Sequence, residues 1–104
     1  MAPQEKNPNV EIVTLDTPIT RGEEEITSVS LRKPMSGELR GVSLADLLQM
    51  DVIALRKVLP RITSPALTDH ELGRMDPADL VQMATAVTSF LLPKSAKTDA
   101  SLVA

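Results

Sequence analysis

The chain has no cysteine, no tryptophan and no tyrosine, and only one phenylalanine and one histidine among its 104 residues. Without cysteine there is no disulfide framework, no thiolate nucleophile and no cysteine-based metal site. His70 alone cannot make a histidine-rich metal cluster. Without Trp and Tyr there are no stacking platforms of the kind that bind single-stranded nucleic acid. The core must then be built from Leu, Val, Ile, Met and Ala, which bury less area per residue than aromatic rings. Modest stability is expected for the isolated chain, and association with a partner would add to it. No run approaches the ~20 apolar residues of a membrane span. The opening segment MAPQEKNPN is polar and has no apolar signal core, so the chain is expected in the cytoplasm of the cell that makes it. Its formal net charge is −3, whereas a duplex reader carries a concentrated basic patch. That argues against a nucleic-acid partner.

What is present reads as one α+β domain, an N-terminal β-hairpin packed on a small bundle of three to four short helices. Residues 1–9, with two prolines and two asparagines, read as a disordered arm. Residues 10–15 (VEIVTL) are β-branched and partly alternating and predict a strand. Asp16, Thr17 and Pro18 interrupt it, and Gly22 supplies the turn. Residues 26–31 (ITSVSL) predict the second strand, giving a hairpin over 10–32. A lone hairpin is marginal in water and must pack on the helices of residues 36–92. Ser36 to Gly41 reads as one helical turn closed by glycine. Ser43 and Asp46 resemble a capping box, after which Leu44, Leu47 and Leu48 are expected to face the core. Asp51 caps the next helix, which carries Val52, Leu55, Leu59 and Ile62 at helical spacing, and Pro60 is expected to kink or shorten it. Residues 63–65 read as a turn, and Leu67, Thr68 and Asp69 open a short helix. Residues 93–104 read as a flexible tail.

Side chains that carry chemistry do not converge. His70 lies between Asp69 and Glu71, which reads as an exposed helix start, and the run of Glu23, Glu24 and Glu25 reads as a solvated hairpin tip. The glycines lack phosphate-loop spacing. No nucleophile with a base, no carboxylate pair and no metal set is evident, so no enzyme and no cofactor is expected. Arg56, Lys57 and Arg61 lie late in a short helix, where cations suit the negative helix end. They also leave a small DNA-binding regulator over residues 43–62 as a lesser alternative.

The last helix stands out. Asp76 and Pro77 are a strong start signal, and Asp79 adds charge that suits the positive helix end. Leu80, Val81, Met83, Ala84, Val87, Phe90, Leu91 and Leu92 then cover an arc of roughly 200° at about 100° per residue. The apolar stripe of a surface helix is nearer ~100° wide. Leu80, Ala84, Val87 and Leu91 are expected inward, leaving Met83, Ala86 and Phe90 as an adjacent strip. Two coverings are open: the rest of the domain or another molecule. If the second applies, the contact residues would be Met83, Ala86, Val87, Phe90 and Leu91, joined by Val52, Leu55 and Leu59, with Arg56, Lys57 and Arg61 steering acidic segments.

The order of segments resembles the small tail assembly chaperones of bacteriophages, the group of tail protein E and Mu-like tail proteins. The likeness is carried by Val13-Thr14-Leu15-Asp16-Thr17-Pro18-Ile19, by residues 31–41 (LRKPMSGELRG), by residues 59–63 (LPRIT) and by residues 76–80 (DPADL). This resemblance implies a non-enzymatic assembly factor that binds the tape measure protein and keeps it soluble until tube subunits polymerise around it. It further implies contact with tail tube subunits, residence in the host cell cytoplasm, absence from the mature virion, and a frameshift-extended form of the same chain as a partner. A homo-oligomer is compatible with it. The alternative within the same setting is a small structural or adaptor component that stays in the tail.

Overall fold

The computed structural model describes residues 9–93. Two strands open the fold, β1 (Val10–Arg21) and β2 (Glu24–Arg32), joined through Gly22 at φ 58°. They pair antiparallel, with Val10 opposite Arg32 and Arg21 opposite Glu24. A short 3₁₀ turn (Ser36–Leu39) leads to α1 (Leu44–Leu48) and α2 (Val52–Ile62). A two-residue strand β3 (Thr63–Ser64), α3 (Asp69–Gly73) and α4 (Pro77–Leu91) complete the described chain. The expected α+β class holds, with the hairpin first and the helices after it. The expectations for residues 1–8 and 94–104 lie outside the described residues.

Three local differences have identifiable causes. First, β1 does not stop at Asp16. The ladder slips register between Thr14 and Ile19, and the peptide groups freed there are bonded from α4: the Asp79 carboxylate accepts from Asp16 N–H at 2.7 Å and from Thr17 N–H at 3.1 Å. Second, residues 63–64 form a third strand on β2, in the order β1-β2-β3. The buried Thr63 hydroxyl fixes this corner, donating to Leu59 C=O at 2.8 Å and accepting from Leu67 N–H at 3.0 Å. Third, Pro60 sits in the last turn of α2 without ending it, and the helix runs to Ile62.

The helix starts are where the caps place them. Ser43 Oγ accepts from Asp46 N–H, Asp51 from Ala54 N–H, and Asp76 from Ala78 N–H, with Pro77 in the first turn of α4. Each such cap is worth about 1 kcal/mol. The core lies between one face of the sheet and the helices. Val13, Leu15, Val29 and Leu31 meet Leu47, Leu55, Val58, Leu59, Met83, Val87 and Phe90 in one cluster. Among the described residues no helix is long and apolar enough to cross a membrane.

Candidate interaction surface

The strip expected to stay available on the last helix is sealed inside the protein. Met83 and Val87 are fully buried, Ala86 and Phe90 nearly so, and Leu91 is half-buried. The inward face is turned from the one expected: Leu80 and Leu91 are half-buried, while Asp79, Met83, Ala84, Ala86, Val87 and Phe90 point inward. Asp79 sets this phase. Its carboxylate, fully buried, reaches the β1 backbone and draws that side of α4 against the sheet. The sequence reading of Asp79 as a dipole charge missed this tertiary bond, which joins residues 63 positions apart. The middle of the apolar arc of α4 (Met83, Ala84, Val87 and Phe90) is therefore covered by the chain itself, while Leu80, Leu91 and Leu92 are half-buried and Val81 is exposed.

The second expected group divides. Leu55 and Leu59 are buried, and Val52 is on the surface. Arg56 binds Asp69 through two nitrogens, at 2.8 and 2.9 Å, and Arg61 donates to the carbonyl oxygens of Glu38 and Arg40. Both guanidiniums thus hold the fold together. Lys57 is exposed and has no intramolecular partner among the described residues. The eleven residues expected to form one surface do not come together as one.

A different group of apolar side chains is exposed. At the corner between α1 and α2, Leu44 (54% exposed), Leu48 (45%), Met50 (38%), Val52 (49%) and Ile53 (67%) all face outward within ten residues of chain. Leu44 and Leu48 were expected in the core beside Leu47, but only Leu47 is buried. A five-residue helix has room to bury one side, and Leu44 and Leu48, four residues apart, share the other. Clusters of exposed apolar side chains are characteristic of interaction sites, whereas isolated ones carry no such meaning.

The backbone at this corner is held in a costly form. Met50 has φ 61°, in the left-handed region. Met50 N–H donates to Leu47 C=O at 3.0 Å, and Asp51 N–H to Asp46 C=O at 2.9 Å. These two bonds are the Schellman ending of a helix, in which the left-handed position is usually glycine. A side chain there costs roughly 1–2 kcal/mol. The turn ends α1 and leads directly into α2, which begins at Val52. Asp46 and Asp51 border the group and are exposed, as is Lys57 one turn beyond Ile53.

Charged groups elsewhere serve as joints. Arg21 grips both oxygens of Glu71, at 2.7 and 2.8 Å, tying β1 to α3. That bond, aided by Thr68 N–H, holds the Glu71 carboxyl at about 2. Arg32 does the same for Glu38, also about 2, with help from Met35 N–H. His70 and Glu23, Glu24 and Glu25 are exposed, and no three His, Cys, Asp or Glu side chains among the described residues form a metal-binding group.

The family model for phage tail assembly chaperone proteins (E, or 41 or 14) matches residues 12–92. The chain belongs to the phage tail assembly chaperone family. It is 50% identical to tail assembly protein E of Escherichia phage P2 over 84 residues, covering 81% of this chain and 92% of that protein. It is 49% identical to tail assembly protein E′ of the same phage over 81 residues, 78% of this chain but 57% of that longer protein. No solved structure matches the chain. The matched segment contains the whole α1–α2 corner.

Proposed function

We propose that this protein binds the tape measure protein of its phage and keeps it soluble while the tail tube forms, without catalysing a reaction. The observation that carries this reading is the α1–α2 corner: five exposed aliphatic side chains in a member of a tail assembly chaperone family. A long helical client presents apolar stripes that aggregate when bare. An amphipathic helix lying on Leu44, Leu48, Met50, Val52 and Ile53 would cover such a stripe. Flexible Leu and Met contacts accept many client registers, where a rigid aromatic anchor would favour one. The cost accepted at Met50 supports a use for that side chain, because glycine would suit the backbone better. Asp46, Asp51 and Lys57 would tune encounter with charged client segments.

On this reading the protein works in the host cytoplasm and is absent from the finished particle. Tube subunits compete for the same client, and a longer product sharing this domain serves beside it. The length of the P2 E′ relative supports such a product. The test is co-expression of the tape measure protein with and without this chain. A client recovered soluble only when this chain is present, together with particles free of the chain by mass spectrometry, is the expected result. A client equally soluble alone contradicts the reading, and the chain in stoichiometric amount in particles assigns it to the tail as an adaptor instead.

A further inference from the structure

The sheet has an unfinished edge, distinct from the α1–α2 corner. β1 is paired on one side only. Lys33 N–H donates to Asn9 C=O at 2.8 Å. With Val10 opposite Arg32, this fixes the alternation: peptide groups at Glu11 and Val13 face β2, and those at Val10, Ile12 and Thr14 face away from it. Gln82 Nε2 lies 3.4 Å from Thr14 C=O, as that parity requires. From Thr14 onward α4 covers the edge, through Gln82 and then Asp79. Before Thr14, no strand among the described residues pairs with the outward groups of Val10 and Ile12.

Beside that open stretch lies a groove of about 390 Å³ between β1 and α4. One wall is the strand edge with Glu11 and Ile12, and the other is Val81, Thr85 and Ser89, spaced four apart on α4, with Ala86 below. Ile12 is 67% exposed and Val81 56%. Exposed edges in native sheets are blunted by Lys, Pro, a bulge or a cover. Among the described residues, 10–13 (VEIV) have none of these along the open stretch, and Glu11 is the ionisable side chain lining the groove.

We propose that this groove takes one extended segment of a partner polypeptide, added as a further strand on β1, with alternating apolar side chains and a cationic side chain beside Glu11. A helix has its own peptide groups already bonded, so an extended chain is the partner whose backbone can pair with those of Val10 and Ile12. At about 3.3 Å per residue, the open stretch matches a segment of four to six residues. The Glu11 carboxylate selects the charge. The site stands independently of the tape measure reading, since it uses none of the corner residues.

The test uses the full chain and the capped hexapeptide TVKVTV, followed by amide hydrogen exchange in NMR. Saturating peptide is expected to slow exchange at Val10 and Ile12 at least tenfold and leave α1 and α2 unchanged, and replacing the peptide's lysine by glutamate should weaken binding at least fivefold. Ile12→Pro removes an outward N–H without touching the β2 ladder and should abolish protection at Val10. Thr85→Trp, which fills the groove from the exposed face of α4, should do the same if the proline variant does not fold. Unchanged exchange at millimolar peptide overturns the proposal, as does equal protection by a peptide N-methylated at every residue, which has no backbone donor for either edge. Protection without peptide overturns it too: if it grows with protein concentration the occupant is a second copy, and if it is lost on deleting residues 94–104 the occupant is the chain's own segment.

Discussion

α4 and the α1–α2 corner are both dense in aliphatic side chains, yet they meet opposite fates. α4 has fifteen residues and six of them are buried. It lies against β1 and β2 and fills the middle of the core. The corner is built from a five-residue helix and the first turn of the next, and it presents five large apolar residues outward. Length decides part of this, because a four-turn helix can press a broad face against a sheet and a one-turn helix cannot. Anchorage decides the rest. Asp79 bolts α4 to the β1 backbone, whereas the corner is held by its own turn hydrogen bonds. An apolar arc wider than a surface stripe therefore marks a central helix here, and the apolar residues left outside are those that short elements cannot hide.

The comparison breaks most sharply at α4. The double substitution Met83→Asp with Phe90→Asp should leave no folded protein. Each removes a core side chain at a cost of about 3 kcal/mol or more and buries a charge besides, against a total stability on the order of 5–15 kcal/mol. Circular dichroism should show no cooperative melt. Were α4 instead a free binding helix, the melt would persist.

Asp79→Ala should come next, at about 2–4 kcal/mol in urea unfolding, because two backbone N–H groups lose a charged acceptor. Asp79→Asn, which keeps one acceptor oxygen, should cost less. At the corner the sign reverses. Met50→Gly should stabilise the fold by about 0.5–1 kcal/mol by relieving the left-handed backbone, and should weaken client binding. A destabilised Met50→Gly variant would remove the claim that the corner is held at a cost.

The smallest effect is that of pH. The Glu71 and Glu38 carboxyls lie at about 2 in the folded chain against 4.5 for the free group. Their contribution is therefore full above pH 4.5 and is lost as pH falls toward 2. Both pairs are partly exposed, so the slope should be shallow and reduced further by salt. Glu71→Gln should flatten it, as measured by thermal melts across that window.

Much of the fold was legible in the residues. β-branched runs flanking Gly22 specify the hairpin, and Ser43, Asp51 and Asp76-Pro77 place the helix starts, because these signals act over three or four residues. What spacing could not supply was tertiary. Periodicity gives α4 its broad apolar arc but not the covering surface, and the rotation that buries Met83 and Phe90 depends on a bond from Asp79 to a strand far away in the chain. The run of β1 through Pro18 depends on the same bond. β3 depends on Thr63 bridging Leu59 and Leu67. Of the contact residues expected, Val52 and Lys57 are at the surface, Leu55 and Leu59 are core, and Arg56 and Arg61 are engaged by the fold. Leu44, Leu48, Met50 and Ile53 were missed because Leu44, Leu47 and Leu48 share the spacing of a buried face, and nothing in the sequence around Met50 signals a left-handed turn.

The central claim is that the α1–α2 corner, and not α4, meets the client. Co-purification of the tape measure protein with the double variant Leu48→Asp, Ile53→Asp tests it most directly. Both sites are exposed, so the variant should melt within about 0.5 kcal/mol of the parent, and the expected result is a folded protein that no longer brings the client down. A folded double variant that retains the tape measure protein at parental levels would contradict the account.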